Sequence, residues 1–185
     1  APPLEKPLGA SPQPIDIQRF MGRWYVMNAI PTALDRGVVN AVEEYTWNEA
    51  KQRIDVAYTF QKDAKAKVSL IEQRAVVVNG EATADAPGGV NTRWALDPKL
   101  GGVFLPLKLA YLVVYCDTSA YAATIIGVPG RSLLYVMART PTPSPELRGE
   151  LLERCRRLGF DMGKVVAVEH CPSVDAPAAT GGGVE

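Results

Sequence analysis

The sequence predicts an all-β protein: an eight-stranded antiparallel up-and-down β-barrel with one C-terminal α-helix packed outside it. Two observations carry this. About eight short runs rich in Val, Ile, Tyr and Trp alternate with turn signals between Gly22 and Arg139, as the strands of a half-buried sheet do. A single amphipathic segment follows, from Ser144 to Gly159, with apolar residues at helical spacing. Closing eight strands on themselves removes the sheet edges that invite aggregation. Strand count alone leaves a β-sandwich as the competing architecture.

RWYVMNAI is the first run. AVEEYTWN and RIDVAYTF follow, joined by NEAK as a hairpin turn. KVSLIEQRAVVV ends at Asn79-Gly80, a strong turn dipeptide. VNTRWAL, LAYLVVYCD, YAATIIGV and LLYVMART complete the set, with connections short enough for antiparallel hairpins. In SPELRGELLERCRRLGF, Ser144 is an N-cap and Pro145 a first-turn proline. Leu147 stands where a capping box would need Glu or Gln. Leu147, Leu151, Leu152, Cys155 and Leu158 form one stripe, and Gly159 stops the helix. The outside of the sheet is the surface available to that stripe. KVVAVE reads as a last short strand.

A chain of 185 residues suits one domain. It is placed at residues 15–172, between a flexible N-terminal tail at 1–14 and a flexible C-terminal tail at 173–185, both rich in Pro, Gly and Ala. The first residues lack the basic start and apolar middle of a signal peptide; a cleaved end and a natural start both stay open. The longest apolar run, VFLPLKLAYLVVYC, is broken by Pro106 and Lys108 and is shorter than the roughly 20 residues a spanning helix needs. Twenty basic residues balance twenty acidic ones, so the charge offers no footprint for nucleic acid. Cys116, Cys155 and Cys171 are odd in number, which leaves at least one unpaired, and their spacing matches no zinc signature.

Little in the chain reads as catalytic. His170 is the single histidine, next to Cys171, and sequence neighbours make a poor base and nucleophile. No Gly-x-Ser-x-Gly elbow is present, and His170 is expected to be solvated beside the tail. Gly88-Gly89 and Gly101-Gly102 form no phosphate loop and read as loop flexibility. Glu43 and Glu44 are adjacent on a strand, so they point to opposite faces and make a poor acid/base pair. No catalytic residue, metal site or cofactor is expected.

The aromatic residues are more informative. On strand alternation Tyr45 shares a face with Trp47, Val56 with Tyr58, Tyr111 with Val113 and Tyr115, and Tyr135 with Met137. Trp94 and Phe104 complete this candidate lining. In a barrel, such a face is either filled core or the wall of a cavity for an amphiphilic ligand. The residues by themselves leave both open.

Three stretches carry a family resemblance. GRWYVMNAIP resembles the first lipocalin motif, Gly-x-Trp at the start of the first strand. YLVVYCDTSAYAATIIG resembles the second, an aspartate loop between two strands. LLYVMARTPTPSPE resembles the third, an arginine ending the last barrel strand before a loop into the helix. They occur in order and in register. SLIEQRAVVVN and RRLGFDMGKVV are similar to the branch that holds apolipoprotein D and the bacterial outer-membrane and plant lipocalins. The resemblance spans about Ile15 to Pro172 and implies a calyx closed at one end by Gly22, Trp24, Asp117 and Arg139, with Arg139 stacked on Trp24. Its other end would stay open between the loops Pro31 to Gly37 and Lys99 to Leu107.

The implied function is non-catalytic binding and transport of a small hydrophobic or amphiphilic ligand, such as a fatty acid or lysophospholipid, with a possible role in membrane lipid maintenance or stress protection. Sterols, retinoids and pigments are further ligand classes that the resemblance implies. The apolar tip GGVFLPL is a candidate for peripheral membrane contact. The alternatives are a lipocalin-fold enzyme of the isomerase type, which needs a cavity-facing nucleophile, and a filled barrel serving as an interaction protein. Cys116 is expected to point outwards, opposite Tyr115. Cys116 also stands before Asp117 where threonine is usual, and the aromatic residue of the second motif comes late, at Tyr121. The usual bridging partner of Cys171 falls near Asn40, so that bridge is unavailable. Monomer and homodimer are both open. A secreted, periplasmic, organelle-lumen or peripheral membrane setting is favoured over a cytosolic one.

Overall fold

Alternation of inward apolar and outward polar side chains along each run closes the sheet into a barrel. In the computed structural model, residues 6–81 and 88–171 are described. The strands are β1 (Gly22–Ile30), β2 (Val39–Asn48), β3 (Arg53–Gln61), β4 (Ser69–Val77), β5 (Arg93–Leu100), β6 (Val103–Phe104), β7 (Leu109–Cys116), β8 (Ala123–Gly127), β9 (Leu134–Ala138) and β10 (Val166–Ala167). Neighbours pair in the order β1-β2-β3-β4-β5-β7-β8-β9, all antiparallel. β9 returns to β1 from Tyr25↔Ala138 to Ile30↔Leu134 and closes an eight-stranded barrel. β10 adds to β1 beside that seam, and β6 folds back on β5.

Two apolar clusters result. One fills the barrel. The other lies between the outer faces of β7, β8 and β9 and the helix α2 (Pro145–Arg157). Ser144 caps this helix by accepting from the Leu147 backbone N–H at 3.1 Å, and Gly159 leaves it at φ +85°, a conformation that favours glycine. Leu151 and Cys155 are buried, with Leu147 and Leu158 packed at their edges. Leu152 lies off this contact, because the packed strip is narrower than the apolar stripe.

A one-turn helix, α1 (Ile17–Phe20), precedes β1 and drops Phe20 into the closed end of the barrel. The segment before it is not the end of a flexible tail. Residues 6–14 run along the barrel. Leu8 is buried, its N–H donates to Pro129 O at 2.9 Å, and Ser11 N–H donates to Val113 O at 2.8 Å. The reading of Gly88-Gly89 as mere loop flexibility is corrected with it. A Cβ on Gly89 would run into the Gln13 backbone, so close packing against this segment requires the glycine. Residues 1–5 and 173–185 lie outside the described residues.

All three cysteines are free thiols. Asn40 holds the place opposite Cys171: its Oδ1 accepts from the Cys171 N–H at 2.8 Å, and its Nδ2 lies 3.9 Å from Cys171 Sγ. Asn40→Cys is therefore expected to form a bridge on oxidation. Closing so long a loop is worth about 4–5 kcal/mol in chain entropy. A cysteine at the Asn40 φ of +55° gives back about 1–2 kcal/mol of that. Thiol counting and a reductant-sensitive rise in melting temperature of roughly 5–10 °C check this.

Candidate functional site

The closed end is built around Trp24. Its indole is fully buried and its Nε1–H donates to Phe20 O at 2.9 Å. The Arg139 guanidinium carbon lies 3.7 Å from the centre of the indole ring. The same guanidinium donates to the carbonyls of Tyr121 at 3.1 Å, Arg23 at 3.0 Å, Arg19 at 2.8 Å and Phe20 at 3.2 Å. It ties α1, β1 and the β7–β8 loop into one plug. Gly22 sits at φ +101°, and a Cβ there would come within 3.3 Å of Arg139 Nη1. Asp117 holds the β7–β8 loop by accepting from Ser119 Oγ at 2.7 Å and from the Ser119 and Ala122 N–H groups. Tyr121 finishes the plug, with its hydroxyl accepting from the Asp16 N–H at 2.7 Å.

Above the plug, Phe20, Tyr45 and Trp94 pack with ring centres 5.5 Å apart, and Tyr111 stacks on Trp94. The Tyr45 and Tyr111 hydroxyls hydrogen-bond to each other. Higher up, Tyr58 and Tyr135 face one another at 5.7 Å. Both donate to Asp35 Oδ2, at 2.8 Å and 2.7 Å. Asp35 belongs to the β1–β2 loop. Its carboxylate reaches down into the barrel and its Oδ1 also accepts from the Thr32 N–H and hydroxyl, each at 2.7 Å. The end expected to stand open is thus covered by a loop latched to two tyrosines. Burial pushes all four of these phenols well above their ordinary pKa.

Glu43 points into the same space. It pairs across β2 with Trp24 on one side and Tyr58 on the other, is 2% exposed, and leaves its Oε2 without a hydrogen-bond partner. Burial, reinforced by the Asp35 carboxylate, raises its pKa to about 8. Glu44 is exposed beside Arg23, so the opposite-face reading of this pair holds.

The residues named from sequence divide accordingly. Tyr45, Val56, Tyr58, Trp94, Tyr111, Val113, Tyr135 and Met137 are brought together inside the barrel. Tyr115 is not. The register of β7 against β8 shifts between Val113 and Tyr115, and this irregularity reverses the alternation. Tyr115 therefore turns outward under Arg154, whose guanidinium lies 4.0 Å from its ring, and Cys116 turns into the barrel core. The expectation that Cys116 points outwards is corrected for the same reason. Burial raises its pKa to about 12, so the inward thiol is no ready nucleophile.

Phe104 is also outside. The β5–β6 hairpin lays its ring beneath Arg74, at 4.6 Å, Arg53 and Lys99. Trp47 packs at the rim of the closed end and donates to Glu49 at 2.6 Å. His170 is not simply solvated. Half-buried, its Nε2–H donates to Val26 O at 2.8 Å, its ring meets Tyr25 edge-on, and burial lowers its pKa. Asp35, Glu43, Phe20 and Phe60 were missed. For Glu43 the signal was there: Ala41, Glu43 and Tyr45 alternate on one face.

Comparison with known proteins settles the family. The profile of the lipocalin-like domain matches residues 15–170. This chain belongs to the lipocalin family. Among its relatives is the outer membrane lipoprotein Blc of Escherichia coli K12, 27% identical over 158 residues that cover 84% of this lipocalin and 79% of that protein. Temperature-induced lipocalin-1 of Arabidopsis thaliana is 24% identical over 178 residues, covering 88% and 82% of the two chains. Among solved structures, insecticyanin from the tobacco hornworm Manduca sexta superposes with a TM-score of 0.62 at 15% identity, covering 91% of this chain and 88% of its own. The cockroach allergen Per a 4 gives 0.60 at 12% identity, covering 88% and 93%. The structural likenesses establish the fold. Family and barrel together support binding of a hydrophobic ligand inside it.

Proposed function

We propose that this lipocalin is a non-catalytic carrier that takes up a small hydrophobic or amphiphilic molecule in its barrel, loading at a membrane surface. The observation that supports it best is the polar group content of the packed aromatic interior. Four tyrosine hydroxyls and two carboxyl groups are enclosed with apolar walls, and a single loop latched by Asp35 roofs them. A filled structural core has little use for six polar groups. In the closed form side chains occupy the interior, so entry requires the 31–37 loop to lift and Tyr58 and Tyr135 to turn aside. Two hydrogen bonds to a carboxylate, each worth about 1.5–3 kcal/mol, keep the roof shut without sealing it.

The mouth supports the membrane part. Leu34, Leu100, Val103 and Leu107 are 74%, 70%, 62% and 55% exposed on the loops around it. Arg36, Lys62, Lys65, Lys67 and Lys108 are exposed among them. Apolar side chains ringed by cations suit an anionic bilayer. The relatives named as outer membrane lipoproteins agree with a peripheral setting.

Native mass spectrometry of the purified protein, then tryptophan quenching with small hydrophobic probes, tests the carrier role. Saturation near one ligand per chain is the expected result, and no saturable quenching by any class of probe would refute it. For the membrane part, co-sedimentation with phosphatidylglycerol vesicles is expected to fall about tenfold or more in the L100S/V103S double variant. Equal sedimentation of both proteins would remove this surface from the account.

A further inference from the structure

The carboxyl groups inside the barrel have no buried basic side chain beside them among the described residues. Among the described residues the buried charged side chains are Asp35, Glu43 and Asp97, and no lysine, arginine or histidine is among them. Asp97 lies on the outer face of β5, where Lys108 Nζ at 2.9 Å and Arg74 Nε at 3.1 Å satisfy it. Asp35 spends both oxygens on Thr32, Tyr58 and Tyr135. Glu43 is different. It is inside the barrel, 2% exposed, and its Oε2 has no partner. Arg139, in the plug at the closed end, has its N–H groups engaged by four backbone carbonyls.

Glu43 also sits amid aromatic faces. It pairs with Trp24 and Tyr58 on adjoining strands, and Tyr45 follows it on the same inward face of β2. An acid amid aromatic rings, shielded from water, is the chemistry that recognises an organic ammonium. The ring quadrupoles attract the cation and the carboxylate neutralises it. A carboxylate or phosphate head driven to the same depth would meet two acids and no free counter-charge. A neutral alcohol would satisfy Oε2 by one hydrogen bond but leave no reason for an acid there.

We propose that the ligand this barrel selects carries a protonated amine on an apolar body, and that Glu43 is the group that receives the ammonium. The inference rests on the carrier reading above. The amine N–H donates to Glu43 Oε2, the tyrosine rings flank the charge, and the apolar body points to the mouth. Glu43 gives up its proton to solvent as the ammonium enters, so charge balances within the barrel.

The test uses the full chain and three probes of one chain length below their micellar concentrations: dodecylamine, dodecanol and laurate. Tryptophan quenching and calorimetry are read for the native protein and for Glu43→Gln, whose fold is checked by circular dichroism. The expected result is dodecylamine binding about 10-fold or more tighter than dodecanol, with laurate weakest. Glu43→Gln should erase the amine preference while leaving dodecanol binding within about twofold. Laurate binding as tightly as dodecylamine, or an amine preference untouched by Glu43→Gln, would overturn the inference and leave the carrier role standing. Binding of none of the three would count against both. If Glu43→Gln proves unstable, Glu43→Asp takes its place. It keeps the charge and is expected to keep the preference.

Discussion

Arg139→Ala is expected to lower the melting temperature by about 6–12 °C, a loss of about 3 kcal/mol or more. The side chain caps Trp24 at 3.7 Å and serves four carbonyls contributed by α1, β1 and the β7–β8 loop. A partly buried guanidinium over an indole contributes about 1–2 kcal/mol. Each charge-assisted hydrogen bond adds to that, and truncation leaves acceptors that water reaches only in part. Arg139→Lys is expected to recover less than half, because an ammonium cannot span four carbonyls in one plane. Urea denaturation of the three proteins measures the differences. A loss below about 1 kcal/mol for the alanine variant would mean that α1 and Trp24 hold the barrel end without it.

Glu43→Gln is expected to stabilise the protein at alkaline pH and to change little in acid. The folded-state pKa of Glu43 is about 8 against an ordinary value of 4.5. Below 4.5 both states are protonated and the acid carries no penalty. Between 4.5 and about 8 the unfolded chain ionises while the folded one does not, so stability falls as pH rises. Each pH unit in that window costs about 1.4 kcal/mol, which bounds the gain at pH 8 at about 3–5 kcal/mol. The isosteric amide has no such slope. Asp97 and Glu153, held down to about 2 by Lys108 and Arg156 respectively, act in the opposite sense in acid, and both proteins share them. Urea midpoints at several pH values read the difference directly. Parallel pH profiles would show that Glu43 is already solvated in the native protein.

The plug at the closed end was legible because its parts lie in motifs that resemble the family's. Gly22, Trp24, Asp117 and Arg139 occur in three motifs in register, and the structure joins them as that register implied. The bridge partner of Cys171 was placed near Asn40 by the same logic, and Asn40 hydrogen-bonds to it. Strand alternation placed Tyr45, Tyr58, Tyr111 and Tyr135 inside the barrel. Alternation failed at Tyr115 and Cys116, where one irregularity in β7 exchanges the faces of everything after it.

What the sequence by itself determined, then, is what period and motif can encode. It carried the all-β class, the eight strands and their order, the outer helix, and the pairing of Arg139 with Trp24. The class, strands and helix rest on near neighbours along the chain; the pairing of Arg139 with Trp24 rests on the motifs that resemble the family's. Only the tertiary structure decided how the barrel interior is used. Asp35 meets Tyr135 from 100 residues away, Phe104 turns outside with its hairpin, and residues 6–14 lie down on the wall. These depend on how loops close over a curved sheet, and no local pattern records that. The acid of Glu43 was visible in the alternation of β2, but its isolation was not. Burial is a property of the whole barrel, and burial is what turns an ordinary glutamate into an unpaired acid among tyrosines.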